Sequence, residues 1–326
     1  MMRIFINGFG RIGRTVLRAW AKGGWPGVEI VGINDIAAPD LCAHLFAYDS
    51  VFGPYPGAAD LVGGALVVDG RAIPLSRTDD ISKVDLTGVD VLMECTGKAG
   101  SRDIAERGLR AGARRVLISG PSDAAGLTVV LGANDDLLAD QPIVSNASCT
   151  TNALAPLVKL LDATWGLETG WMTTIHCYTG SQPTIDAPRG DMLRSRAAGL
   201  SMVPTTTSAQ QLLNAVLPDI AGRIEAAAVR VPVASVSAVD LTVTLRNTPT
   251  AAELHDVLRR RDGIIGYTDK PLVSCDLRAR PESLIVSLPE TRVTAGGLVR
   301  VFGWYDNEWG FSCRMLDVAG KIGHPA

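Results

Sequence analysis

The sequence contains no Cys-x-x-Cys pair, no apolar run approaching the roughly 18 residues of a bilayer-spanning helix, and no excess of positive charge. Each absence excludes something. The six cysteines (42, 95, 149, 177, 275 and 313) are scattered, which argues against a disulfide framework or a zinc site and for a reducing cytoplasm. The start lacks the basic and long apolar regions of a secretory leader, so none is expected. A net charge of −3 gives no general attraction to nucleic acid or anionic membranes. There is no internal repeat and no low-complexity segment. What is present is apolar: 47% hydrophobic residues over 326, more than one core usually organises, so two domains are expected.

The first half alternates strand and helix patterns. Strands are expected at Arg3–Ile6, Val28–Ile33, Leu66–Val68, Val89–Met93, Arg115–Ile118, Val129–Val130 and Ile143–Val144, with helices at Ile12–Lys22 and Arg102–Ala111. That alternation implies a largely parallel, doubly wound sheet. After Cys149 longer alternating strands appear at Trp171–Ile175, Arg223–Val231, Val239–Leu245, Ser283–Ser287 and Val299–Trp304, which reads as a mixed or antiparallel sheet. The stretch from Tyr178 to Pro204 has no sustained period, and a loop of that length is usually functional. A closing helix is expected over Gly310–Ile322.

Gly8-Phe9-Gly10-Arg11-Ile12-Gly13 matches G-x-G-x-x-G between a strand and a helix. Glycines there allow a tight turn and close approach of a pyrophosphate to a helix N-terminus. The next strand ends in Asn34-Asp35, about twenty residues beyond Gly13, where a carboxylate can hold a ribose hydroxyl and repel a 2′-phosphate. Asp35 could also be a simple helix cap. Together the features point to a nicotinamide dinucleotide.

Cys149 lies in Ser145-Asn146-Ala147-Ser148-Cys149-Thr150-Thr151-Asn152, between a strand and a helix carrying Leu154, Leu157, Val158 and Leu161. A thiol at a helix N-terminus meets unsatisfied N–H groups that favour the thiolate; the other reading is a buried structural cysteine. Pro156 is expected in the first turn, the one place a helix tolerates proline. Only four histidines could partner a nucleophile. His44 and His255 fall in helical runs and His324 in the tail. His176 ends a strand and opens the irregular loop, suiting a base that titrates near neutral pH. Around it gather Thr179, Ser181, Arg194, Arg196, Thr205, Thr206, Thr207, Ser208 and Arg230, a set able to hold phosphate.

These motifs resemble those of the glyceraldehyde-3-phosphate dehydrogenase family. The resemblance lies in Asn7–Arg14, Ile33-Asn34-Asp35, Glu94-Cys95-Thr96-Gly97, the Cys149 octapeptide, Thr173–His176, Arg230-Val231-Pro232 and Trp304–Glu308, collinear from Arg3 to about Asp317. It implies an α/β chain with a Rossmann-like NAD domain over 1–148, a catalytic α+β domain over 149–309, and a C-terminal helix, 310–326, packing back on the first. It implies phosphorylating oxidation of an aldehyde through a Cys149 thioester, with His176 as base. Gly8, Phe9, Gly10, Arg11, Ile12, Gly13, Asn34, Asp35, Arg77, Thr96, Gly97 and Ser119 would line NAD, with Asn307 on its carboxamide. Thr179, Ser181 and Arg230 would hold the substrate phosphate; Ser148, Thr150, Arg194, Thr207 and Ser208 would hold inorganic phosphate. No metal is implied. A homotetramer without membrane or primary nucleic-acid partners is expected.

The chain departs from the family's usual pattern at Ser208-Ala209-Gln210-Gln211, where Gly and then Ala-Ala-Lys is common, and at Ser181, Ala153 and Phe311. An erythrose-4-phosphate dehydrogenase shares the catalytic residues and is the alternative within the class. A non-catalytic dinucleotide- or RNA-binding protein is the alternative outside it, though it would be free to lose Cys149 or His176.

Overall fold

The computed structural model describes residues 1–259 and 263–323, so His324 and the end of the expected 310–326 helix lie outside the described residues. The chain divides into two compact units: Met1–Val129, Asn134–Ala147 and the stretch from Ser312 form one, and Val130–Ala133 with Ser148–Phe311 form the other.

The first unit is built on a nine-stranded sheet. From one edge its strands run Leu127–Thr128, Ile143–Ser145, Arg115–Ile118, Val91–Glu94, Met2–Asn7, Val28–Asn34, Arg71–Ser76, Ala65–Val68 and Ala59–Val62. All pairings up to Arg71–Ser76 are parallel; the last two are antiparallel. The central strand MRIFIN is buried at every position but Arg3, as expected of a parallel strand covered on both faces. The chain leaves it to one side at Val28 and to the other at Val91, so a switch point lies at its carboxyl end. There Asn7 stands in register with both Asn34 and Glu94. The strand expected at Val129–Val130 sits instead at Leu127–Thr128, paired to Val144 and Ser145, and the strand expected from Val89 begins at Val91.

The terminal helix runs Trp309–Gly323. Its portion from Ser312 belongs to the first unit, where Asp317 Oδ1 accepts from Trp25 Nε1 at 2.7 Å and Lys321 meets Asp135 at 3.1 Å. Cys313, Met315, Leu316, Val318, Ala319 and Ile322 are buried. An apolar surface on so many sides belongs to a core helix.

The second unit carries an eight-stranded mixed sheet in the order Val203–Thr205, Ile224–Val231, Leu167–Cys177, Ser237–Leu245, Val299–Tyr305, Leu284–Ser287 and Ile265–Thr268, with Arg292–Val293 pairing Val299–Tyr305. Helix Cys149–Trp165 packs on its two central strands and on helix Ala209–Val216. Pro156 is not in the first turn of that helix but in its interior. The helix starts earlier than its apolar pattern because Ser148 caps it, its Oγ accepting from Thr151 N at 3.1 Å. Proline's lost bond costs about 3 kcal/mol. Burying Leu154, Leu157, Val158 and Leu161 contributes roughly 1.5–3 kcal/mol each, so packing overrides the local preference.

Candidate active site

At the switch point a cavity is lined by Gly8, Gly10, Asn34, Asp35 and Thr96. Gly8 has φ +92°, and a Cβ there would stand 2.7 Å from the Thr96 amide nitrogen. At Gly13 a Cβ would come within 2.1 Å of Gly8 O, so only glycine lets helix Arg11–Lys22 close on the turn. The helix is capped by Gly10 without a side-chain bond and has no acid in its first turn, which leaves its positive end uncompensated within the turn. This is a cradle that side chains would fill, and it fits a pyrophosphate.

Asp35 is clamped rather than loose. Its Oδ2 accepts from Phe9 N at 2.6 Å and its Oδ1 from Ala37 N at 2.8 Å; each oxygen keeps a second lone pair for a hydroxyl. Beneath lies buried Glu94, which accepts from Asn7 Nδ2 at 2.5 Å and from both the amide and hydroxyl of Thr96. Asn34 Nδ2 in turn donates to Asn7 Oδ1 at 2.8 Å. Of the remaining residues expected here, Arg11 opens the helix and pairs with Asp49, and Ile12 follows it in the first turn. Gly97 follows Thr96 at φ +72°. Arg77 is exposed and donates to Ile36 O at 3.0 Å, while the Ser119 amide donates to Glu94 O at 3.0 Å. None of these lines the cavity. Asn307 belongs to the second unit. Ile36, Thr78, Lys98 and Arg107, not singled out from sequence, do line it, as does Glu94, read there only as part of a motif.

In the second unit Cys149 is the first residue of its helix, and its Sγ lies 3.7 Å from His176 Nε2. The cavity over this pair, of about 540 Å³, is also lined by Ser148, Thr150, Arg194, Thr207, Ser208 and Arg230. Strand pairing sets His176 in register with Arg230. Cys177 O lies 2.7 Å from His176 Nδ1 and accepts from Arg230 Nη1 at 3.1 Å. Arg230 Nη1 also stands 2.8 Å from His176 Nδ1, so that nitrogen either donates to Cys177 O, which frees the Nε2 lone pair for Cys149, or accepts from Arg230, which puts the ring proton on Nε2.

The protonation states differ from those expected of the sequence. Burial, reinforced by the neighbouring Arg230 charge, pulls His176 down to about 4 rather than leaving it near neutrality. Burial likewise pushes the Cys149 thiol up, against the opposing pull of Arg230 and of hydrogen bonds from Thr150. At Cys149 desolvation therefore outweighs the helix terminus, and both shifts favour the uncharged forms, a thiol facing a neutral imidazole.

Arg194 is braced by its own loop: Nε donates to Thr205 Oγ1 at 2.7 Å and Nη2 to Thr206 O at 3.2 Å. Thr179 and Ser181 bond each other at 2.9 Å and stand outside the cavity lining. Thr174, Thr206, Gln211 and Ala228 join the lining. Thr174 was findable, because alternate residues of one strand share a face and His176 follows it by two. Under the site Tyr305 OH bonds Thr150 Oγ1 at 2.9 Å and Thr174 Oγ1 at 2.8 Å, tying helix to sheet. Of the other histidines, His44 lies in helix Pro39–Ala47 and His255 in helix Ala251–Arg259, and neither lines this cavity. Among the described residues no cluster of His, Cys, Asp and Glu could hold a metal ion, and no helix is long and apolar enough to cross a membrane.

A dinucleotide cradle in one unit and a cysteine–histidine pair beside two arginines in the other fit an NAD-linked oxidoreductase. The chain matches the family description "Glyceraldehyde 3-phosphate dehydrogenase, NAD binding domain" over residues 2–102 and "Glyceraldehyde 3-phosphate dehydrogenase, C-terminal domain" over 148–307. It is 46% identical to the glyceraldehyde-3-phosphate dehydrogenase of Xanthobacter flavus, over 99% of each chain. It is 46% identical to that of Pseudomonas aeruginosa, over 98% of this chain and 97% of the relative, and 39% identical to glyceraldehyde-3-phosphate dehydrogenase 2 of Bacillus subtilis, over 100% and 99%. The chain belongs to the glyceraldehyde-3-phosphate dehydrogenase family.

Proposed function

We propose that the chain catalyses the phosphorylating oxidation of glyceraldehyde 3-phosphate to 1,3-bisphosphoglycerate through a thioester on Cys149. The observation that carries this reading is the Cys149 Sγ–His176 Nε2 approach of 3.7 Å inside a cavity lined by Arg194 and Arg230. Gly8 through Gly13, Asn34, Asp35, Arg77, Thr96, Gly97 and Ser119 would hold the cofactor, with Asn307 on its carboxamide. Asp35 would meet a 2′-phosphate with like charge, which favours NAD over NADP.

Cys149 attacks the aldehyde carbon as His176 Nε2 takes the thiol proton, and the proton then passes to the new alkoxide. Bound NAD supplies the acceptor for the hydride that leaves this carbon. His176 removes the hydroxyl proton as the carbonyl reforms, leaving a thioester. Inorganic phosphate held by Arg194, Thr150, Thr207 and Ser208 attacks it, the carbon–sulfur bond breaks, and Cys149 departs with the electron pair. Thr179, Ser181 and Arg230 are assigned to the substrate's own phosphate. Gln211, a neutral residue lining the cavity, implies a rather high phosphate requirement. We further assign the enzyme to the cytoplasm as a homotetramer with no membrane or primary nucleic-acid partner. The exposed apolar side chains of Ile185, Met192, Leu193, Leu200 and Met202 support the association.

The test follows NADH formation at saturating NAD while phosphate is raised from zero. The rate should rise from near zero and saturate, with arsenate substituting. A rate independent of phosphate, with free acid as product, would instead favour the four-carbon branch or a hydrolysing dehydrogenase.

A further inference from the structure

Strands Leu167–Cys177 and Val299–Tyr305 flank the same middle strand, which begins at Ser237. Strands two places apart stand roughly 10 Å from one another, twice the interstrand spacing, and their side chains do not ordinarily meet. Beyond the start of the middle strand they do. Cys177 Sγ donates to Asn307 Oδ1 at 3.1 Å, and the Cys177 amide is fixed by Ser237 Oγ, also at 3.1 Å. The mechanism above does not use Cys177. Its side chain is fully buried and Asn307 is nearly so.

The two ends of an asparagine amide are almost the same shape, so hydrogen bonding decides which faces which way. A donor at 3.1 Å selects Oδ1 and turns the Nδ2 donors to the opposite side. Burial pushes the Cys177 thiol up to about 12, so it remains a donor at any working pH; a thiolate would attract Nδ2 and reverse the amide. Of the other polar atoms near the sulfur, His176 Nδ1 is farther at 3.8 Å and already faces Cys177 O at 2.7 Å, while the Ser237 hydroxyl, which holds the Cys177 amide, also reaches the thiol.

We propose that Cys177 is a positioning residue that sets the side-chain amide of Asn307 for the carboxamide of the cofactor. The inference rests on the reading that Asn307 meets that carboxamide. The experiment measures calorimetric Kd values of NAD and of ADP-ribose, which lacks the nicotinamide. Cys177→Ala should weaken NAD by about three- to tenfold, the worth of one neutral hydrogen bond, and leave ADP-ribose within about twofold. Cys177→Ser, which restores a donor, should recover NAD affinity. An unchanged NAD Kd in Cys177→Ala, equal loss for both ligands, or no recovery with serine would overturn the proposal. Should Cys177→Ala not fold, Cys177→Val removes the donor at larger volume and is read the same way. If Asn307→Ala leaves the ratio of the two Kd values at the parent's, the assignment of Asn307 has failed, an outcome distinct from failure of Cys177 alone.

Discussion

His176 is nearly excluded from solvent, and its depressed pKa ties the proposed base to stability. The folded value of about 4 lies below the ordinary 6.5, so between those values the unfolded chain binds a proton that the native state refuses. Stability is therefore complete above about pH 6.5 and falls as the pH drops toward 4. At about 1.4 kcal/mol per pKa unit, the loss at pH 4.5 should be about 2–3 kcal/mol. Urea unfolding at pH 7.5 and 4.5 should show that loss in the parent and a correspondingly smaller one in His176→Asn; parallel losses would refute the depressed value. The place of this histidine beside Cys149 was legible because it ends a strand beside an irregular loop. Its titration was not. The Arg230 charge that helps depress it arrives by register from a strand far along the chain, and burial of this depth has no local signature. The same holds for Cys149, whose helix-terminal position was evident but whose desolvation was not.

At the scale of elements, the glycine turn separates two functions that one motif merges. Gly13 serves helix packing, because its missing Cβ lets Gly8 O approach, whereas Gly10 has nothing within 4 Å of where a Cβ would be. Gly13→Ala should cost about 1–3 kcal/mol in unfolding free energy, the usual price of overpacking. Gly10→Ala should leave stability within about 0.5 kcal/mol, since the site is open, yet reduce NAD affinity by obstructing the pyrophosphate. Equal stabilities of the two variants would contradict this division. Strong periods revealed most parallel strands and the long helices. Arg71–Ser76 escaped because Pro74 and polar neighbours disguise a strand that is parallel to Val28–Asn34 only near its end, at Ile33 and Asn34. With it went Thr78, which reaches the cavity only because that strand leads there. Pro156 misled in the opposite sense, since a buried helix can outweigh one lost hydrogen bond.

For the whole molecule, length and the change of texture at Cys149 gave the expectation of two domains, but nothing in the sequence announced how the chain threads the two compact units. The chain passes from one unit to the other after Val129, Ala133, Ala147 and Phe311. Neither unit is a single continuous segment, and the cofactor unit includes the stretch from Ser312, whose apolar side chains from Cys313 to Ile322 are buried and whose Gly323 abuts Met2, the first residue of the central strand. Removing everything after Phe311 should leave the first unit susceptible to protease; a truncated chain as resistant as the parent would show that the helix is dispensable. This arrangement has a consequence for biosynthesis. Chains emerge from the ribosome amino end first at about 5–20 residues per second, so the earliest strand made waits for one of the last segments synthesised. The nucleotide-binding unit, although encoded first, is completed only after its companion has been translated.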